Sequence, residues 1–152
     1  MQLADGAGYL SEVAGLIREY TEWFGRDLAF QGLEEELANL PGKYLPPFGR
    51  LIVALDDGGQ VCGCVAYHRL DETTAEMKRL YVKPELRGHK AGEKLAQRIM
   101  HLAREDGCTR MVLDTVEPLR EATALYRKLG FEEVEPYYHN PFDDVIYFAR
   151  DL

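Results

Sequence analysis

The sequence predicts an α/β fold of the α+β kind, a mixed central sheet with helices on its faces. Two observations carry that prediction. Residues 50–82 hold three strand-like runs in succession, the first two joined by a hairpin signal, which is the pattern of an antiparallel meander. After them the pattern alternates helix, strand, helix, strand, and a strand–helix–strand crossover adds a parallel pair. The length of 152 residues fits one domain, 1–152, with enough chain to bury a substantial core.

The elements read in order. Residues 8–24, GYLSEVAGLIREYTEWF, place Val13, Leu16, Ile17 and Tyr20 at helical spacing and form a first helix. Residues 28–40, LAFQGLEEELANL, form a second, with Leu33, Leu37 and Leu40 on one side. PGKYLPPFG follows as a loop rich in breakers. RLIVALDDGGQVCGCVAYHRL is two strands around Asp56-Asp57-Gly58-Gly59, and TAEMKRLYV is a third. From Gly92 to Glu105, Leu95, Ile99 and Leu102 make one helical stripe. RMVLDTV is a strand, and REATALYRKLG is a helix that ends at Gly130 in the C′ position. FEEVEPY and DVIYFAR close the chain as strands.

Composition narrows the function. Eighteen Lys and Arg against 26 Asp and Glu give a net charge of −8, and a general nucleic-acid binder needs a basic face. No apolar run approaches the roughly 18 residues of a membrane helix, so no membrane partner is expected. MQLADGAGYLSEV has neither a basic start nor a long apolar stretch, so no secretory signal is expected and the cytoplasm is the expected location. Cys62 and Cys64, two apart in a strand, should share a face, and an odd count of three suits reduced thiols. No His or Cys pair elsewhere has zinc-type spacing, so no metal is expected.

One short stretch points to a ligand. RGHKAG, Arg87 to Gly92, stands between a strand and a helix. A helix N-terminus offers unpaired N–H groups and a positive dipole end, suited to an anion. Gly88 and Gly92 let backbone approach a ligand closely, and Arg87, His89 and Lys90 add positive charge in an acidic chain. The dinucleotide spacing G-x-G-x-x-G and the Gly-Lys-Ser/Thr ending of a Walker A loop are both absent. The alternative is an ordinary solvated turn before a surface helix.

These residues resemble the GNAT superfamily of acyl-CoA-dependent N-acetyltransferases. The family's phosphate motif, Gln/Arg-x-x-Gly-x-Gly/Ala, is matched by Arg87-Gly88-His89-Lys90-Ala91-Gly92. Lys90 stands where the family usually has glycine, a change the turn accepts if Lys90 takes helix-like φ. AEMKRLYVKPELRG is similar to the family's fourth strand, and REATALYRKLGFEEVEPYY to its A-x-x-LY-x-x-x-GF segment, here Ala122, Leu125, Tyr126, Gly130 and Phe131. The upstream FQGLEEELANLPGKYLPP and downstream PYYHNP look like one branch of small bacterial-type members. The resemblance implies a mostly antiparallel sheet with helices on both faces and a splayed strand pair. Acetyl-CoA would be the co-substrate. Its pantetheine arm would lie on the backbone of Leu80, Tyr81 and Val82. Its pyrophosphate would sit on amides from His89 to Glu93, through Lys90, Ala91 and Gly92, beside Arg87 and Gly88.

The implied reaction is direct attack of a neutral amine on the acetyl thioester. It needs a base for the ammonium, donors for the oxyanion and an acid for the leaving thiolate. Tyr126 matches the family's acid by position; otherwise it is a core tyrosine beside Ala122, Leu125 and Leu129. Glu76 stands where some members carry a catalytic glutamate, and strand alternation would put Lys78 and Leu80 on its face. Otherwise it is a salt-bridged strand residue, and His139, Tyr137 and Tyr138 are the next candidates. Asp114 reads as a substrate contact or as a cap for the turn after its strand. Trp23 and Phe24 read as core or as acceptor-pocket wall. Glu34-Glu35-Glu36 reads as a solvated helix face or as an attractor for a cationic amine.

The expected activity is therefore transfer of an acetyl group to a primary amine of a small molecule, with a homodimer allowed by the resemblance. A protein lysine or N-terminus as acceptor is the second reading. A coenzyme-A-binding regulatory module without turnover is the third, and a nucleotide-binding module unrelated to acyl-CoA the fourth.

Overall fold

The structure, a computed structural model, describes residues 1–26, 32–86 and 90–152. Seven strands form one sheet in the order β1-β2-β3-β4-β5-β7-β6. They are β1 (Gln2–Asp5), β2 (Gly49–Leu55), β3 (Val61–Arg69), β4 (Thr74–Val82), β5 (Arg110–Val116), β6 (Glu132–Val134) and β7 (Val145–Asp151). All neighbours are antiparallel except β4 and β5, which are parallel. The parallel pair requires a crossover, which α3 (Ala91–Glu105) supplies.

Each face of the sheet carries its own core. On one, Val13, Leu16 and Ile17 of α1 (Leu10–Phe24) and Leu33 and Leu37 of α2 (Leu33–Ala38) pack on Val53, Cys64 and Ala66. On the other, Leu95, Ile99 and Ala103 of α3 and Tyr126 of α4 (Arg120–Lys128) pack on Val65, Tyr67, Met111 and Phe148. Strands buried on both faces explain why β2, β3 and β5 read as near-continuous apolar runs.

The end of α4 follows from two residues. Gly130, at φ +90°, takes the left-handed conformation just past the helix. Its N–H then reaches the Arg127 carbonyl at 3.0 Å, and the Phe131 N–H reaches the Tyr126 carbonyl at 3.0 Å. This is a Schellman closure, and the Phe131 ring packs edge-on to Tyr126 with centroids 6.0 Å apart. The Gly-Phe pair thus anchors the backbone and one ring face of Tyr126.

Four expectations change. β1 was not expected: it is a four-residue edge strand, too short to show a period. α2 begins only at Leu33, because Gly32 at φ +69° stands outside the helix, and it ends before Leu40; residues 28–31 lie outside the described residues. β6 keeps only three residues of its expected run. Cys62 and Cys64 lie on opposite faces, in the α3/α4 core and the α1/α2 core respectively. The cause is a bulge: Ala54 pairs with Gly63 but Leu55 with Val61, so Cys62 is the extra residue and the alternation inverts.

Candidate active site

The sheet opens between β4 and β5. Their rungs are Thr74–Arg110, Ala75–Met111 and Glu76–Val112, and none follows among the described residues, although the strands run on to Val82 and Val116. A cavity of about 730 Å³ fills the opening, a size suited to a small ligand. It is lined by β4 from Met77 to Val82, β5 from Leu113 to Val116, and the first turn of α3 from Lys90 to Glu93. Tyr126 and Leu125 of α4, Tyr20, Trp23 and Phe24 of α1, and Asn140 and Phe142 before β7 are also among its walls.

A second bulge shapes the β4 side. Ala66 pairs with Lys78 but Cys64 with Tyr81, so β4 holds one residue too many, and Arg79 sits there at φ +61°. The alternation inverts at this point. Ala75 and Met77 pack toward α3 and α4 before it, and Leu80 and Val82 do so after it. Glu76 and Lys78 therefore share the α1/α2 face with Arg79 and Tyr81, and Leu80, expected beside Glu76, lies on the other. Arg79 is held from α2: its Nε meets Glu36 Oε2 at 2.8 Å, and Glu36 also accepts from the Tyr44 hydroxyl at 2.8 Å. Glu36 is thus no solvated residue, while Glu34 pairs with Arg18 at the surface. Tyr81 packs edge-on against Tyr20, centroids 5.6 Å apart, and donates to Glu19 at 2.6 Å.

At the far end of the cavity, α3 presents its first turn. The Lys94 N–H bonds to the Lys90 carbonyl at 3.0 Å, so the amides of Ala91, Gly92 and Glu93 precede the first helical bond. Lys90 is left-handed, at φ +59°, rather than helix-like. That conformation costs a non-glycine residue roughly 1–2 kcal/mol, which is the physical reason a glycine suits the position. Glu93 turns its carboxylate to Lys128, 3.1 Å away. Arg87, Gly88 and His89 lie outside the described residues.

Glu76 and Asp114 stand on the α1/α2 face at and just past the last β4–β5 rung, in different states. Glu76 is buried, with His68 Nε2 at 2.7 Å from one oxygen and the Tyr137 hydroxyl at 2.6 Å from the other. Burial pushes its carboxyl up, but the His68 contact, the Lys78 charge and the Tyr137 bond outweigh that and hold it at about 2. It is not among the cavity-lining residues, whereas Lys78 and Asp114 are. Asp114 sits inside β5, not at its end, and its Oδ2 accepts from the Tyr138 hydroxyl, so it caps no turn. Burial raises the Asp114 carboxyl; Tyr138 and Lys78 offset part of that. Burial and the neighbouring Arg79 charge lower the Lys78 ammonium, against the pull of Glu76 and Asp114.

Tyr126 is buried between Phe131 and Phe148 and still lines the cavity, so it is both a core and a site residue. Its hydroxyl meets no hydrogen-bond partner among the described residues. Burial raises its phenol above the usual range, with Tyr20 and Asp114 adding to the shift from across the gap. Trp23 and Phe24 are pocket wall. Of the PYYHNP segment, Tyr137 and Tyr138 reach the carboxylates, while His139 is exposed. The pairing of Arg79 with Glu36 was missed, because the bulge that turns Arg79 toward this face leaves no mark in the period of β4 and its partner comes from α2. No group of three or more potential metal ligands occurs among the described residues.

A sheet opened between two parallel strands, with a cavity running to a helix N-terminus, is the build of an acyl-CoA-dependent acyltransferase. The chain belongs to the Acetyltransferase (GNAT) family, whose sequence model matches residues 15–131. An uncharacterized N-acetyltransferase of Schizosaccharomyces pombe is 44% identical over 144 residues, covering 94% of this chain and 88% of that protein. One of Dictyostelium discoideum is 30% identical over 202 residues, covering 93% of each. The crystal structure of an acetyltransferase from Streptococcus agalactiae superposes with a TM-score of 0.82 at 26% identity, over 99% of this chain and 98% of that one. The protein is an acyl-CoA-dependent N-acyltransferase, and its family uses acetyl-CoA.

Proposed function

We propose that the chain acts as a single N-acetyltransferase domain, 1–152, which moves the acetyl group of acetyl-CoA to a primary amine of a small molecule. The observation that carries this reading is the cavity of about 730 Å³ that joins the β4–β5 opening to the first turn of α3. The residues present suit the co-substrate. Leu80, Tyr81 and Val82 line the cavity on the side of β4 that faces β5 across the opening, where a pantetheine arm would lie. The amides of Ala91, Gly92 and Glu93, the Lys90 ammonium, and Arg87, Gly88 and His89 before them suit its pyrophosphate.

A small acceptor is favoured by the opposite end. Arg26 grips Asp144 with two contacts of 2.6 Å and lies 5.0 Å from the Phe142 ring, tying the end of α1 to the loop before β7. We take that tie, beside the walls of Tyr20, Trp23 and Phe24, as support for a small amine over an extended peptide. The net charge of −8 disfavours a nucleic-acid partner.

In this scheme Tyr126 protonates the leaving thiolate. Its phenol is raised by burial, so it carries its proton throughout the physiological range. Glu76, held on both oxygens, serves by fixing Tyr137 rather than by touching the amine. The test is acetyl-CoA-dependent thiol release across amino acids, polyamines, aminoglycosides and short peptides, against a blank without amine. Release with one small-amine class supports the reading; release with peptides alone moves the acceptor to protein, and none with any amine overturns it.

A further inference from the structure

We propose that Asp114 is the group that takes the proton from the acceptor's ammonium, a further catalytic residue for the transferase reading above, on which this inference rests. Its place follows from the register. Glu76–Val112 is the last rung between β4 and β5, and side chains on one face recur every second residue. The next residues on that face are Lys78 and Asp114, one on each strand, at the mouth of the opening. Both line the cavity, and Glu76, one step back, does not.

The hydrogen bonding separates the two carboxylates further. Glu76 has both oxygens engaged, by His68 and by Tyr137. Asp114 has one: the Tyr138 hydroxyl donates to Oδ2, and Asn140 Nδ2 donates to that hydroxyl at 2.9 Å. Tyr138 is itself braced against the Tyr147 ring, centroids 5.6 Å apart. No described residue donates to Oδ1. One oxygen is therefore oriented and the other is left for a ligand's donor.

Charged and titratable groups face Asp114 from every side. Lys78, Glu76 and Arg79 come from β4, and Tyr138 from the loop before β7. Tyr147 on β7, Tyr20 on α1 and Tyr126 on α4 each register its charge. Burial keeps the Asp114 carboxyl above the usual range while Glu76 sits at about 2, so Asp114 is the stronger base of the two.

The step balances. The ammonium gives one proton to Asp114. The neutral nitrogen forms a bond to the thioester carbonyl carbon, the C–S bond breaks, and Tyr126 gives its proton to the leaving sulfur. The remaining excess proton on nitrogen returns to the Tyr126 phenolate, and Asp114 releases its proton to solvent.

The experiment uses the amine that the wild-type chain acetylates and compares Asp114→Asn, Asp114→Glu and Tyr138→Phe. Asp114→Asn is expected to lower kcat about 100-fold, with the KM for acetyl-CoA unchanged and the acid limb of kcat/KM lost. Asp114→Glu recovers part of the rate. Tyr138→Phe removes a bond that lowers the Asp114 carboxyl, so the acid limb moves to higher pH without a comparable loss at its plateau. Asp114→Asn with normal kcat and an intact acid limb would overturn the proposal and leave the transferase reading standing. A wild-type chain that binds coenzyme A but acetylates no amine would overturn both.

Discussion

Glu36 on α2 grips Arg79, the left-handed extra residue of β4, by contacts of 2.8 and 3.2 Å, with the two side chains only 9% and 4% exposed. The pair holds the bulge that turns Arg79 and Tyr81 to one face of the opening and Leu80 and Val82 to the other. Glu36→Ala leaves a guanidinium buried without this partner, which costs about 3–5 kcal/mol. Urea unfolding should report that loss. If the unfolding free energy falls by less than a quarter of that, the pair is not what keeps the bulge in place.

Glu76 sets an acid limit on the fold. Its folded carboxyl is held near 2, below the usual 4.5, so the unfolded chain takes up a proton first as pH falls. The stability it contributes is therefore present above pH 4.5 and disappears as pH drops toward 2. The shift corresponds to about 3 kcal/mol. Glu76→Gln should be less stable at pH 7 and should lose less between pH 5 and 3 than the wild-type chain, measured by denaturant midpoints at each pH.

Tyr126→Phe should lower kcat by about 10-fold or more, the usual worth of acid–base help. Its hydroxyl has no hydrogen-bond partner among the described residues, so thermal stability should change little. Because the phenol is raised, the wild-type rate should show no decline below pH 10 that Tyr126→Phe removes. A normal kcat with chemistry limiting would exclude the acid role.

Lys90 separates charge from backbone. Lys90→Ala keeps the left-handed strain and deletes the ammonium, so stability should hold while the KM for acetyl-CoA rises several-fold. Lys90→Gly also relieves strain of about 1 kcal/mol, partly offset by the greater freedom of glycine in the unfolded chain. Its melting temperature should be no lower than that of Lys90→Ala. An unchanged KM in both variants would remove Lys90 from the phosphate site.

Much of this was legible in the residues. The α1 stripe of Val13, Leu16 and Ile17, the Asp56–Gly59 hairpin and the bounds of β4 follow from periodicity and turn chemistry, and the structure has them. Gly130 announces the end of α4 because a left-handed residue is needed there. β1 was illegible because four residues at a sheet edge make no period.

What the sequence determined by itself was the order of elements from α1 onward, the family and the presence of Tyr126, since helical and strand periods and short motifs are local properties of the chain. What only the tertiary structure decided was which side chains meet at the opening. Leu80 left the face of Glu76, and Glu36 left solvent for Arg79. Lys78 and Asp114 came to the cavity mouth, and Glu76 withdrew behind Tyr137. For Leu80 and Arg79 the physical reason is a single inserted residue, since one bulge at Arg79 inverts the alternation of β4 and is held by pairing with β3 and an ion pair to α2; Lys78 and Asp114 reach the mouth because the β4–β5 pairing stops at the Glu76–Val112 rung.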